Sequence, residues 1–263
     1  MGVATVHDGW EIHESGPADA DHAVLLLPGG MCTAAFYDDV RDEPPLASVR
    51  LVAVTVPGFG GTAVGSLRME DLAAQAAKLA TDLGCNAVAG HSYGANIAIE
   101  MAGGGHFTGP VLLLEPSFSR EDEYSELGVL DRIGRVPVVG RMAWGLMIRM
   151  IGTGMKKEIP PERFDALVGE MKNNDPVVCR ALVREYFRYL DEHGSLAGRL
   201  CDSGVRAIAV FCDDSKIGLT DDERARLEAC PTVTMVDVAD SGHMVISAQP
   251  ARTAELIRDI AVG

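Results

Sequence analysis

Apolar residues along this chain fall into two recurring patterns. One is the short unbroken run closed by glycine or proline; the other places an apolar residue every three or four positions. Runs over residues 22–27, 50–56, 86–89, 111–114, 205–211 and 232–238 read as strands covered on both faces. Residues 3–6 and 10–12 flank Asp8-Gly9 as an opening hairpin. Helical spacing follows Ser66, with Leu72, Ala76, Leu79 and Leu83 on one stripe and Gly84 as the stop. Further helices are predicted over 95–102, over 221–229 behind the capping box Thr220-Asp221-Asp222-Glu223, and over 251–261. Strands alternating with helices in this way predict an α/β fold, a mostly parallel sheet with helices on both faces. Ligands of such sheets sit at the carboxyl ends of the strands. Pro28-Gly29-Gly30, Pro57-Gly58, Ser92 and Glu115 fall along that edge.

The alternation fails between residues 118 and 200. This stretch is helical in pattern, with Gly and Pro breaks at Gly134, Pro137, Gly140, Gly152, Gly154 and Pro160-Pro161. It reads as a helical lid inserted over the sheet edge, which divides the chain into a core of residues 1–117 and 201–263 and a lid of 118–200. Met142, Trp144, Leu146, Met147, Met150, Ile151 and Met155 give the lid an adaptable apolar surface. Trp144 and Met147 are the side chains expected to contact substrate, with packing of the lid helices on one another as the competing role.

The chemistry centres on Gly90-His91-Ser92-Tyr93-Gly94. A strand that turns into a helix within so few residues needs glycines where the backbones crowd, and it holds the apex residue out of the sheet. That is the G-x-S-x-G nucleophile elbow, with Ser92 at its apex. A serine hydroxyl is a poor nucleophile until a base takes its proton. His243, next to Gly242 on the loop after the final predicted strand, stands in the chain order serine, acid, histidine and is the expected base. His91 is expected to help hold the turn.

Composition narrows the partners. The 263 residues carry a formal net charge of −15, spread along the chain, which argues against nucleic acid or an anionic membrane surface. A small-molecule substrate is expected, with no metal and no cofactor; the oligomeric state stays open. No apolar run is long enough to span a bilayer, and the first residues do not read as a secretory signal. Six scattered cysteines without a C-x-x-C pair read as reduced thiols, so a cytoplasmic location is expected.

With the elbow, the Leu-Leu-Leu-Pro-Gly-Gly loop, Pro57-Gly58-Phe59-Gly60 and Gly242-His243 in place, the chain resembles the α/β-hydrolase superfamily. The resemblance covers roughly residues 1–117 and 201–263. It implies Ser92 as nucleophile, His243 as its base, and an oxyanion hole from the backbone N–H groups of Tyr93 and of Gly30, or of Met31 if the loop is offset by one. Family members usually have histidine where this chain has Pro28. The acid also departs from the family pattern. Cys212-Asp213-Asp214-Ser215 puts serine at the usual aspartate position, with Asp214 one residue early. Relatives such as haloalkane dehalogenases draw the acid from the end of the strand after the elbow helix, where this chain has Glu115. Glu115 is preferred to Asp214, and a dyad with no acid is the third arrangement.

Two functions follow. The first is a serine hydrolase or acyl-transfer enzyme acting on an ester or thioester of a small, largely apolar molecule. The alternative is a lyase or cyclase on the same fold, with His243 as proton shuttle and the oxyanion hole holding an enolate, since fold does not fix chemistry. The Ala-, Gly- and Val-rich composition fits a high-GC bacterial gene, a setting compatible with natural-product tailoring.

Overall fold

Side-chain alternation along the predicted strands explains the architecture. In the strand over His22–Leu27, Leu25 and Leu27 join one apolar cluster while Val24 and Leu26 join another, and all four are fully buried. A strand buried on both faces has no polar face to show, hence the unbroken apolar run. Each such side chain contributes roughly 1.5–3 kcal/mol by leaving water.

The computed structural model describes residues 5–263. The order is β1 (Thr5–His7), β2 (Trp10–Ser15), β3 (His22–Leu27), α1 (Asp38–Arg41), β4 (Val49–Thr55), α2 (Met69–Asp82), β5 (Ala87–His91), α3 (Tyr93–Gly103) and β6 (Val111–Leu114). Then come α4 (Ser125–Gly134), α5 (Pro137–Met155), α6 (Pro161–Lys172), α7 (Pro176–His193) and α8 (Leu196–Asp202). The chain closes with β7 (Ala207–Cys212), α9 (Asp221–Glu228), β8 (Val233–Val238), α10 (Val245–Ala248) and α11 (Pro250–Val262). The eight strands form one sheet in the order β1-β2-β4-β3-β5-β6-β7-β8. β1 and β2 pair antiparallel, β2 lies antiparallel to β4, and every other pairing is parallel. Helices α2, α3 and α8 pack on one face; α1, α10 and α11 pack on the other.

The opening hairpin, both capping-box residues of α9 and the stop at Gly84 (φ +65°) stand where the sequence puts them. Residues 3 and 4 of the predicted first strand lie outside the described residues. The short helices at Ala34–Tyr37, Asp38–Arg41 and Val245–Ala248 carry too few turns to show a period, and sequence spacing did not predict them.

The stretch between β6 and β7 is helical, as predicted, but not every glycine in it is a break. Gly140, Gly152 and Gly154 lie inside α5. A Cβ on Gly140 would come within 2.7 Å of the Gly134 Cα, and one on Gly152 within 3.0 Å of Val168, so these two glycines let neighbouring helices approach closely. The insertion closes on itself where Leu196 N–H donates to the Phe118 carbonyl at 2.7 Å. Residue 200, the predicted lid boundary, falls inside α8, which packs on α3 with the core. Buried Glu100 of α3 accepts from Arg199 (2.7 Å) and Tyr189 (2.8 Å), tying the insertion to the helix that follows the elbow.

Candidate active site

Ser92 sits between β5 and α3 at φ 51°, ψ −119°, a region that side chains other than glycine enter only under strain. Its N–H donates to the Leu114 carbonyl (2.8 Å) and its carbonyl accepts from Asn96 N–H (3.1 Å), which fixes the turn from both sides. Gly90 and Gly94 cannot be replaced there. A Cβ on Gly90 would strike the Gly94 carbonyl, and one on Gly94 would strike the carbonyls of Leu27 and Pro28. Among the described residues the Ser92 hydroxyl has no hydrogen-bond partner.

His243 lies on the loop after β8, and its Nδ1 is 3.3 Å from the Glu115 Oε2. Glu115 is 1% exposed at the end of β6 and itself holds a positive φ of 54°. Its other oxygen, Oε1, accepts the Cys212 N–H at 2.6 Å, so the carboxylate is held from β7 while it faces the imidazole. Asp214 is exposed, and its N–H donates to the Ser241 carbonyl (3.1 Å). Asp213 accepts the Ser241 N–H (3.4 Å). The turn after β7 therefore braces the histidine loop through the Asp214 N–H and the Asp213 carboxylate, while the carboxylate beside the ring is Glu115.

His91 does more than hold the turn. It is buried, its Nε2 donates to the carbonyl of His243 (2.7 Å), and the two rings lie 4.9 Å apart. That bond requires the proton on Nε2, which leaves Nδ1 as a buried lone pair without a protein partner. Burial, with His243 alongside, pushes the His91 pKa down to about 3, so this imidazole stays neutral. Gly29 makes room for it: a Cβ there would lie 2.9 Å from His91 Nδ1.

The loop after β3 reaches the elbow. A Cβ on Gly30 would lie 3.7 Å from that of Tyr93. Cys32 N–H donates to the Gly29 carbonyl (3.1 Å) across Gly30 and Met31, and Met31 takes φ +63°. A left-handed third residue is the mark of a type II turn, where glycine is preferred. Buried Asn174, between α6 and α7, holds this geometry: its Nδ2 donates to the Met31 carbonyl (2.8 Å) and its Oδ1 accepts from Gly60 N–H (3.1 Å). Nothing in the sequence pattern singles out Asn174. Tyr93 N–H, at the first position of α3, has no helical acceptor, as expected at a helix start.

The insertion reaches the histidine from the other side. The Tyr124 ring stands edge-on to His243, centroids 5.5 Å apart, and burial with the nearby Glu158, Glu115 and Glu123 raises its pKa. Glu158 lies over Gly242, where any Cβ would strike it, and accepts the Met244 N–H at 3.4 Å. The two expected substrate contacts separate. Met147 is half-buried and packs against the clusters of both sheet faces. Trp144 is fully buried with its Nε1 near Gly134, inside the helix packing of the insertion. Of the other lid positions named from sequence, Ile151 is buried, whereas Met142, Leu146 and Met150 face outward.

A family model described as "Alpha/beta hydrolase family" matches residues 24–256. No curated protein matches the chain. Among solved structures the chain is similar to a thermophilic esterase from Thermogutta terrifontis, with 19% identity, TM-score 0.74, 97% of this chain and 95% of that one covered. It is also similar to an esterase from Exiguobacterium antarcticum, with 15% identity, TM-score 0.74 and 99% of both chains covered. A thioesterase domain from the curacin biosynthetic pathway gives 16% identity, TM-score 0.69 and 98% of both chains covered.

Proposed function

Because the chain belongs to the alpha/beta hydrolase family, we propose that it is a serine hydrolase or acyl-transfer enzyme acting on an ester or thioester of a small, largely apolar molecule. One observation carries the reading: a histidine held against the elbow through His91, with a buried carboxylate 3.3 Å from its Nδ1. The esterase and the thioesterase domain among the structural neighbours support the class of bond.

In this reading Ser92 Oγ attacks the acyl carbon as His243 Nε2 takes the hydroxyl proton. Nδ1–H points at Glu115, whose negative charge stabilises the imidazolium. The carbonyl electrons move onto oxygen, which is met by N–H groups of Tyr93 and of Gly30 or Met31. Collapse expels the alcohol or thiol, protonated by His243, and leaves Ser92 acylated. Water or a second nucleophile then gives its proton to His243 and releases the acyl group. In the same reading Met147, half-buried against both apolar clusters, meets the substrate's apolar part.

The test is turnover of p-nitrophenyl esters and acyl thioesters of graded chain length by the wild-type chain and by Ser92→Ala. Turnover that disappears in the variant, with the fold retained by circular dichroism, supports the reading. Full ester turnover by Ser92→Ala overturns it.

A further inference from the structure

Helix α5 is apolar nearly all round. One face is buried through Trp144, Ile148 and Ile151. At about 100° per residue, Val138, Val139, Met142, Leu146 and Met150 fall within an arc of about 120° on the opposite side. All five are exposed, Val138 and Met142 each by 72%. Of the twelve large apolar side chains exposed among the described residues, eight lie between residues 129 and 150. So concentrated an apolar surface marks an interaction site.

Charge indicates what covers it. Residues 132–157 hold six basic side chains (Arg132, Arg135, Arg141, Arg149, Lys156 and Lys157) and no aspartate or glutamate, in a chain whose net charge is −15. All six are exposed. Among the described residues only Arg135 has a carboxylate partner, Asp131 at 3.5 Å. We propose that the outer face of α5 docks on an anionic phospholipid surface, with its valine, methionine and leucine side chains in the headgroup layer and its arginines and lysines on the phosphates.

An outward helix face with apolar side chains and interleaved cations is the form that lies in a membrane interface plane. A second copy docked through the same face would set six cations against six. The ridge projects outward, so a rigid protein partner would need a matching groove, whereas a lipid surface yields to it. The chain-wide charge that argues against an anionic surface is confined to the rest of the molecule, which such a surface repels. Contact is thereby limited to this face. No helix among the described residues is long and apolar enough to cross a membrane, so the association is peripheral.

The experiment is co-sedimentation of the full chain with phosphatidylcholine vesicles containing about half phosphatidylglycerol, and with phosphatidylcholine alone, at low and high salt. Binding should need the anionic lipid and weaken with salt. Met142→Asp, Leu146→Asp and the double variant Arg141→Glu/Arg149→Glu should each lower partition by about tenfold or more, with unfolding temperatures within a few degrees of wild type. Three results overturn the proposal. The first is no binding to anionic vesicles, which leaves the face to a protein partner. The second is equal binding by the folded Asp variants. The third is a solution dimer that Leu146→Asp dissociates, which assigns the face to a second copy.

Discussion

Glu115→Gln keeps the size of the buried side chain and removes its charge, yet its largest effect should come from a frustrated hydrogen bond. Glu115 serves two donors at once, the Cys212 N–H at 2.6 Å and the His243 Nδ1 at 3.3 Å. A carboxylate accepts from both. A glutamine has one accepting oxygen, and the Cys212 N–H is a backbone donor that cannot turn away. The amide oxygen therefore goes to Cys212 and the NH2 faces His243. Nδ1 must then accept, which puts the proton on Nε2, the nitrogen that should take the proton of Ser92. The base is present in the wrong tautomer and lacks the charge that stabilises its protonated form. Such a change costs about four orders of magnitude in turnover, or roughly 5 kcal/mol of barrier at about 1.4 kcal/mol per decade. The assay is steady-state hydrolysis of p-nitrophenyl acetate, with kcat and KM resolved separately and unfolding checked by circular dichroism. The loss should fall on kcat with little change in KM. Asp214→Asn, on an exposed carboxylate, should leave kcat within about threefold of wild type. A folded Glu115→Gln variant within tenfold of wild type, or a larger loss in Asp214→Asn, would mean that Glu115 does not orient His243.

Other residues near the site make separable predictions. Burial holds the His91 pKa at about 3 against an ordinary 6.5, so between those values the unfolded chain binds a proton there that the folded chain does not. Stability therefore falls as pH drops through that window, by roughly 2.5 kcal/mol from this group at about pH 4.5. Chemical denaturation at about pH 7 and pH 4.5 checks it: His91→Gln should shrink the difference by that amount, and an unchanged difference contradicts the assignment. Asn174→Ala frees the Met31 carbonyl and lets the turn leave its left-handed conformation, so kcat should fall about ten- to a hundredfold with KM nearly constant; a change confined to KM contradicts a positioning role. Trp144→Ala should destabilise by about 3–5 kcal/mol in denaturant titration, whereas Met147→Ala should alter selectivity among acyl chain lengths. The reverse pattern would put Trp144, not Met147, against the substrate.

Fold and site were legible in the sequence to different degrees. Strands buried on both faces leave unbroken apolar runs, and the strand over Val111–Leu114 is found where the run predicts it. The elbow shows because its five residues form one contiguous motif, although only Gly90 answers to a neighbour close in sequence, Gly94, while Gly94 answers to the carbonyls of Leu27 and Pro28. Glu115 was readable only as a position, the end of the strand after the elbow helix. What favours it over Asp214 is a pairing across the sheet, Cys212 N–H onto Glu115, between residues 97 apart. Asn174 and Glu158 were invisible for the same reason. Each acts through a backbone group more than 80 positions away, and neither occupies a motif. The lid methionines misled by composition. One helix carries Trp144 inward and Met142 outward two residues apart, and apolar content alone does not assign a face that is unpartnered.

Covalent trapping tests whether Ser92 is a nucleophile activated by His243. The full chain is treated with a fluorophosphonate near neutral pH, and the adduct is located by peptide mass spectrometry. One adduct is expected, on the peptide containing Ser92, absent in Ser92→Ala and formed at least a hundredfold more slowly in Glu115→Gln. No adduct on the folded wild-type chain, or an adduct on another residue that persists in Ser92→Ala, would contradict it.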